Sequence, residues 1–304
     1  MAIQKEIWQD HIEGNLFKNN EFLLATTDVG QYVLQGKVVH IPQAGALPTV
    51  VKNRTIVPAT VVQRTDTDVT YTLDEFTTDP ILIPNAETFE LSYNKRESVL
   101  GEYEASLRQT IADNLLISWA PTSTTGTILR TTGATVGTTL AGTTGNRKKF
   151  TVQDLKNAQL ALSKQNVPME GRYALISADM FQQLTDDMSA TQYRDFSAAY
   201  DVKEGVIGRL FGFNIMMRSG VVTYNNDATP LVNPYGAVPA ATDNDGVLCW
   251  QTGALERALG QITFFEKIGD PTYYGDVYSV GVRMGGRIRR ADALGVVAIA
   301  QAAA

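Results

Sequence analysis

The residue types that most often carry out catalysis are scarce in this sequence, and their spacing does not bring them together. His11 and His40 are the only histidines, and neither has another metal-ligating residue at the spacing that a zinc site uses. The motifs His-x-x-x-His, Cys-x-x-Cys and Gly-x-Ser-x-Gly do not occur. The single cysteine, Cys249, lies in an apolar run, which predicts a buried core thiol. We therefore expect no catalytic residue, no metal site and no cofactor.

Carboxylates are numerous enough to support acid–base chemistry. Pairs such as Asp186 and Asp187, or Glu102 and Glu104, lie close together in the sequence. A hydrolase that works with two carboxylates needs neither a histidine nor a metal, so an acid-dependent hydrolase stays an alternative. Neighbouring acids on a surface are usually just solvated, however, and the sequence around these pairs implies no apolar pocket.

Two glycine-rich stretches could suggest a phosphate-binding loop. Gly205, Gly208 and Gly212 precede an apolar run, and residues 142–149 read Gly-Thr-Thr-Gly-Asn-Arg-Lys-Lys. A phosphate loop lies between a strand and a helix and follows the pattern Gly-x-x-x-x-Gly-Lys-Ser/Thr or Gly-x-Gly-x-x-Gly. Neither stretch fits that pattern, so we interpret the first three glycines as turn or bulge positions.

The composition is typical of a folded protein. The chain of 304 residues has 44% hydrophobic and 19% charged residues, a formal net charge of -6 and a pI near 5.1. These values argue against a disordered chain and do not favour direct nucleic-acid binding. No run approaches the roughly 20 apolar residues of a membrane-spanning helix, and the N-terminal residues lack a signal-peptide pattern. We expect one large domain or two smaller ones, made and folded in a cytoplasm.

The stretch from Gly171 to Val222 organises the rest of the chain. Tyr173–Ile176 reads as a short buried strand, and Ser177 is placed to cap a helix that carries Phe181, Leu184 and Met188 on one face. The polar span 189–205 that follows predicts a mobile segment. The chain then resumes at Val206, turns at Phe211–Gly212 and forms an apolar strand from Phe213 to Met217.

This order of segments resembles the axial domain of the major capsid proteins of tailed bacteriophages. The resemblance depends on "RYALISADMFQQL", then a variable span, then "GVIGRLFGFNIMMRS". The remaining segments follow the family order. Residues 1–34 resemble an N-terminal arm, residues 35–84 an extended β-hairpin loop, residues 85–170 and 260–304 a peripheral domain with a long spine helix, and residues 171–259 the axial domain. The implied fold class is α+β.

Periodicity supports several of these elements on its own. Leu100, Tyr103, Leu107, Ile111, Leu115 and Trp119 form an apolar stripe at spacings of three and four, which predicts one long helix ending before Pro121. Thr151 to Asp154 reads as a capping box, with Asp in place of the usual Glu or Gln. Residues 121–149 are rich in Thr and Gly and read as a loop or an edge hairpin. Further strands are expected at Val247–Trp250, 261–268, Tyr278–Met284 and Leu294–Ala300, with a helical turn or connector at 251–259 and a turn or bulge at Gly285–Gly286.

The resemblance implies a structural function. Such a chain self-assembles, as hexamers and pentamers, into an icosahedral shell that encloses the phage DNA genome in the virion. The implied partner is the chain itself, and scaffolding, portal and decoration proteins are further partners that the resemblance allows. From their location alone, we expect assembly contacts at these residues: Ile7, Trp8, Arg54, Arg64, Lys95, Arg96 and Glu97. An encapsulin-like nanocompartment shell, which shares the fold but houses cargo enzymes, is the nearer alternative to a phage capsid.

Overall fold

The computed structural model describes residues 20–34, 37–43, 49–55, 57–58, 61, 63, 65, 67–84, 95–122, 126–201 and 205–304. These residues form a mixed α+β fold. Within them lie four α-helices: α1 Lys95–Trp119, α2 Val152–Lys164, α3 Ala178–Asp187 and α4 Ala190–Ser197. The strands of the same residues are, in chain order, β1 Thr27–Asp28, β2 Val33–Leu34, β3 Val38–Gln43, β4 Thr67–Thr72, β5 Asp74–Thr77, β6 Ile81–Pro84, β7 Thr127–Arg130, β8 Thr135–Gly137, β9 Asn146–Lys148, β10 Arg172–Ser177, β11 Gly208–Leu210, β12 Phe213–Arg218, β13 Val222–Tyr224, β14 Asn244–Gln251, β15 Leu255–Asp270, β16 Gly275–Ile288 and β17 Val296–Ala300.

The larger sheet has seven strands in the order β11-β12-β10-β14-β17-β7, with β13 paired to β14. Two of its central strands, β14 and β17, are buried along nearly their whole length, as expected of strands covered on both faces. β10 and β12 are parallel, and α3 and α4 make the crossover between them. The domain division expected from the sequence put Val296–Ala300 in the peripheral domain and Arg172–Ser177 in the axial domain, whereas these two strands lie in one sheet. The domain boundaries themselves stay a prediction.

The junction between β10 and α3 confirms the expected strand, cap and helix. The Ser177 hydroxyl accepts a hydrogen bond from the Met180 amide, which satisfies one of the free donors in the first turn of the helix. The buried face differs in detail from the prediction, because Met180 and Leu184 are fully buried while Phe181 and Met188 are only partly covered.

The segment predicted to be mobile contains a helix, α4. Ser189 and Gln192 form a capping box at its start, and Phe196 is buried against the larger sheet. The sequence did not predict this helix, because it is only eight residues long and has one buried apolar side chain, so it leaves almost no periodic signal. The Ser-x-x-Gln pattern was the available clue. The mobility of the segment stays a prediction.

The turn from β11 into β12 confirms the structural interpretation of its glycines. Gly205 and Gly212 have positive φ, and a Cβ on Gly208 would lie 2.5 Å from the Phe196 ring. The glycines therefore permit a tight turn and a close approach to α4, and they need no phosphate to explain them.

The long helix α1 buries the predicted stripe from Leu107 to Trp119. Trp119 is fully buried, meets the Phe22 ring edge-on, and donates its indole N–H to the Glu256 carbonyl at 3.0 Å. The helix is thereby attached to the hairpin formed by β15 and β16. Within the part of the chain that the structure covers, no helix is both long and apolar enough to cross a membrane.

The β15–β16 hairpin is the core of the second sheet, in which β1, β5 and β6 also pair. The helical turn expected within residues 251–259 is present at Thr252–Ala254, but residues 255–259 already belong to β15. The turn or bulge expected at Gly285–Gly286 was wrong, because both glycines continue β16 in register. A Cβ on Gly286 would lie within 2.8 Å of the Glu256 carbonyl, Leu115 and Trp119, so the glycine permits the helix to pack on the strand.

The described residues of the extended loop form a small sheet, β2-β3-β4, at its base. β3 and β4 pair antiparallel from Val38–Thr72 to Gln43–Thr67, as expected of a hairpin. The next residues, 74–84, which the sequence division included in the loop, pair as β5 and β6 with β16. The hairpin base therefore joins the second sheet directly through Leu73.

Candidate assembly surfaces

The side chains that could do chemistry are scattered or buried. Among the described residues there is no group of three or more His, Cys, Asp or Glu side chains placed to hold a metal ion. Cys249 is fully buried, and burial raises the pKa of its thiol to about 12. Asp187 accepts the Val152 amide at 2.9 Å, so one member of the Asp186–Asp187 pair has a structural partner.

Asp245 is the most perturbed acid of the larger sheet. Burial raises its pKa to about 6, although hydrogen bonds from the Ser177 hydroxyl and the Gly246 amide oppose that rise, and the charge of Asp179 adds to it. Asp245 and Asp179 line a groove of about 600 Å³, in which Arg218 pairs with Asp113. Since Ser177 also caps α3, we assign Asp245 to holding the β10–α3 junction.

The distal half of the β15–β16 hairpin and the neighbouring strand β6 expose five large apolar side chains, which we call the hairpin patch. Its members are Leu82, Phe265, Ile268, Tyr273 and Tyr274, and Tyr274 is 79% exposed. A groove of about 450 Å³, lined in part by Pro80, Phe265 and Val277, lies at the same end of the hairpin. Large apolar side chains exposed in such number at one end of a hairpin make it a candidate interaction site.

The outer edge of β15 is paired with β1 at Glu256 and Arg257. Beyond Arg257, the described residues contain no further strand assigned to that edge, which runs on to Asp270. Ile262 and Glu266 on this stretch nevertheless have partners of their own, so the edge is not taken as a free surface.

The described residues of the extended loop beyond its base are uncovered. Val50, Val57 and Val61 are each more than four-fifths exposed, and Arg54 is exposed beside them. A chain segment rich in β-branched residues that lies on no surface of its own copy is suited to lie on another.

The outer loops of the larger sheet expose a further set of apolar side chains. They are Tyr193 and Tyr200 in and after α4, and Leu231, Tyr235 and Val238 in the loop before β14. Arg147 holds the latter loop in place, because its buried guanidinium donates to the carbonyls of Ala241 and Asp243.

The structure locates only part of the residues expected at assembly contacts. Ile7, Trp8 and Arg64 lie outside the described residues. Lys95, Arg96 and Glu97 begin α1, and their side chains are likewise not described; Arg54 is exposed on the extended loop. All seven stay predictions.

Sequence reasoning missed the hairpin patch. The available signal was the run Phe264–Phe265, which places apolar residues on both faces of a strand where one face would suffice for a core, followed by the apolar residues Ile268 and Tyr273–Tyr274.

Comparisons with known proteins agree with this geometry. A family model described as phage capsid protein matches residues 21–302. A search of curated proteins found no match.

Solved structures show the same fold at low identity. The capsid of Ralstonia phage GP4 is 15% identical with a TM-score of 0.64, over 92% of this chain and 87% of that chain. The capsid of cyanophage P-SCSP1u is 17% identical with a TM-score of 0.61, over 91% and 86%. A virus-like particle from Pyrococcus furiosus is 11% identical with a TM-score of 0.53, over 97% and 99%.

The α+β architecture is therefore that of the tailed-phage capsids. The encapsulin-like alternative has less support than a phage capsid, since the family model that matches is one of phage capsid proteins. With that model running from residue 21 to residue 302, the chain belongs to the phage capsid protein family and is a structural protein of the virion.

Proposed function

We propose that copies of this chain assemble into hexamers and pentamers, which close into an icosahedral shell around the phage genome. The observation that carries this proposal is the hairpin patch. Its large apolar side chains are exposed in a single copy and are suited to contact another copy.

The extended loop supplies a complementary segment. Its exposed valines and Arg54 reach out from a base that is paired and anchored, so the loop of one copy lies across its neighbour. Ile7, Trp8, Arg64 and the start of α1 at Lys95, Arg96 and Glu97 contribute to the same set of contacts. Individually weak contacts, repeated around a closed symmetric shell, add up to a stable particle.

The axial domain takes the centre of each hexamer or pentamer in this proposal. The exposed tyrosines of α4 and of the loop before β14 supply its contacts. The chain acts as a container with no catalytic role, assembled in the host cytoplasm. Its net charge of -6 suits a shell that encloses DNA without binding it in a sequence-specific way.

Electron microscopy of the purified full-length chain, together with light scattering, tests the proposal. We expect closed shells, rings of five or six copies, or tubes. A chain that stays monomeric at high concentration, in added salt and with a crowding agent contradicts it. Shells that form in cells and contain protein but no nuclease-protected DNA would instead support the encapsulin-like alternative.

A further inference from the structure

Glu256 is a buried acid whose carboxylate is poorly satisfied. The residue is 1% exposed, and neither carboxylate oxygen accepts a hydrogen bond from the described residues. The Arg289 Nε atom lies 3.2 Å from Glu256 Oε1 as an ion pair, but the Arg289 side chain is half exposed. A buried carboxylate without hydrogen bonds is costly in its charged form, because the protein does not replace the water it has lost.

A second unsatisfied group belongs to the base of the extended loop. The Tyr71 hydroxyl on β4 is buried and has no hydrogen-bond partner among the described residues. The guanidinium of Arg287 lies 5.8 Å from the centre of the Tyr71 ring. Burial, and then the charge of Glu256, raise the pKa of Tyr71, so the two groups are within electrostatic reach of each other.

Tyr71 lies where the base of the extended loop meets the second sheet. Val29, Val39, Leu73 and Ala258 form the small cluster of buried side chains that holds the two together, with Tyr71 packed at its edge. Leu73 fits against Gly260 and Gly285, where a Cβ would lie 2.8 Å and 3.0 Å from it. So small an apolar contact gives the joint a low local stability compared with the main cores.

The charges that act on Glu256 are those of Arg289 and Arg287, from β16 and the residue after it. Tyr71 on β4 is within reach of Glu256, Arg287 and Asp28. Arg257, the next residue of β15, pairs with Asp28 of β1. α1 faces only the Glu256 carbonyl, through the Trp119 indole. Burial raises the pKa of Glu256, and the charges of Arg289 and Arg287 only partly offset that rise.

We propose that Glu256 is an acid-sensitive latch between the base of the extended loop and the β15–β16 hairpin. When Glu256 is protonated, the base of the extended loop packs closely on the β15–β16 hairpin. When Glu256 is ionised, its negative charge is buried at this contact, where it is less stable than in water, and the base loosens. Lifting the base exposes Glu256 and returns its pKa toward the ordinary value of 4.5. Packing is therefore strongest below that ordinary value and weakens as the pH rises through the higher pKa of the packed state. The latch would set how readily the extended loop reaches a neighbouring copy, and this consequence rests on the proposed function.

Hydrogen exchange of the full-length unassembled chain between pH 4 and pH 8, corrected for intrinsic exchange rates, tests the latch. In the wild type we expect protection of the β3 and β4 amides to fall with rising pH, by about tenfold for each unit by which packing raises the pKa of Glu256. In Glu256→Gln the fall disappears while the amides stay protected. In Tyr71→Phe the fall remains, because Glu256 still titrates.

Glu75→Gln is the matched control, since Glu75 pairs with Arg283 at 3.0 Å on the exposed face of the same sheet. We expect it to keep the fall. A fall of equal size in Glu256→Gln, or one shared by the amides of β10 and β14, overturns the latch. Shell formation is scored separately by microscopy, so shells without this pH response reject the latch and leave the proposed function standing.

Discussion

At the scale of single residues, the larger sheet contains a buried acid, Asp245, whose hydrogen bonds have a structural role. Asp245 is almost wholly buried, yet two donors, the Ser177 hydroxyl and the Gly246 amide, are directed at its oxygens. Hydrogen bonds would normally lower the pKa of a carboxyl. Here desolvation outweighs them and raises the pKa to about 6, so Asp245 changes charge close to neutral pH.

We expect Asp245→Asn to stabilise the protein at pH 7.5 relative to the wild type. The unfolded carboxyl ionises near 3.8 and the folded one near 6, so the wild type loses stability as the pH rises between these values. The loss amounts to about 3 kcal/mol at most. The amide cannot ionise, and it can still accept from Gly246 and donate to Ser177. Thermal unfolding at pH 4.5 and pH 7.5 measures the difference.

Asp186→Asn, an exposed change on α3, serves as the control for that experiment. It should leave the difference between the two pH values as it is in the wild type. If Asp245→Asn lowers the melting temperature equally at both pH values, Asp245 stabilises the fold through its hydrogen bonds, and its ionisation does not change the stability.

At the scale of elements, the close contact between α1 and β16 depends on a glycine in the strand. We expect Gly286→Ala to destabilise the protein by about 1–3 kcal/mol, because the new methyl group would overlap the Glu256 carbonyl, Leu115 and Trp119. Chemical denaturation measures the free energy of unfolding.

Gly101→Ala is the matched comparison on α1 itself. A Cβ at Gly101 meets no atom within 4 Å, so the change should stabilise the helix by about 0.5–1 kcal/mol through its higher helix propensity. Equal effects of the two changes would mean that the helix does not pack on β16 as closely as the structure has it.

The same elements show how far sequence patterns could predict the fold. α1, β10 and β14 were predictable, since each carries a strong apolar pattern over enough residues. α4 was missed because only Phe196 is buried on it. The unbroken run of β16 through Gly285–Gly286 could not be predicted from the sequence. These glycines leave room for Leu73 and Trp119, which pack against the strand but lie far away in the sequence.

At the scale of the whole molecule, the exposed surfaces matter more than the core. We expect Phe265→Glu to leave the subunit folded and to abolish shell formation, because the side chain is 54% exposed and a charge there would be buried between copies. Sizing by light scattering and electron microscopy measures assembly, and circular dichroism checks the fold.

Leu160→Glu is the control for that change, since Leu160 on α2 is exposed to the same degree but lies outside the hairpin patch. Shells should still form. Shells from Phe265→Glu as well would remove the hairpin patch from the assembly contacts.

The candidate surfaces were harder to predict than the fold. An exposed apolar side chain and a buried one look alike in a sequence, so Phe265 could not be told from Phe264 until their opposite faces of β15 were known. Arg54 was predicted to be an assembly contact from its position in the loop alone. Its exposure would permit such a contact but does not test it.

The order of strands in the larger sheet has a consequence for synthesis on the ribosome. β17 lies between β14 and β7, so the sheet stays open until residues 296–300 have left the exit tunnel. We expect nascent chains stalled before residue 296 to remain sensitive to protease across β7, β10 and β14, and chains released after residue 300 to become resistant. A subunit would then present its finished surfaces only after translation has passed β17, which would keep half-made copies out of a growing particle.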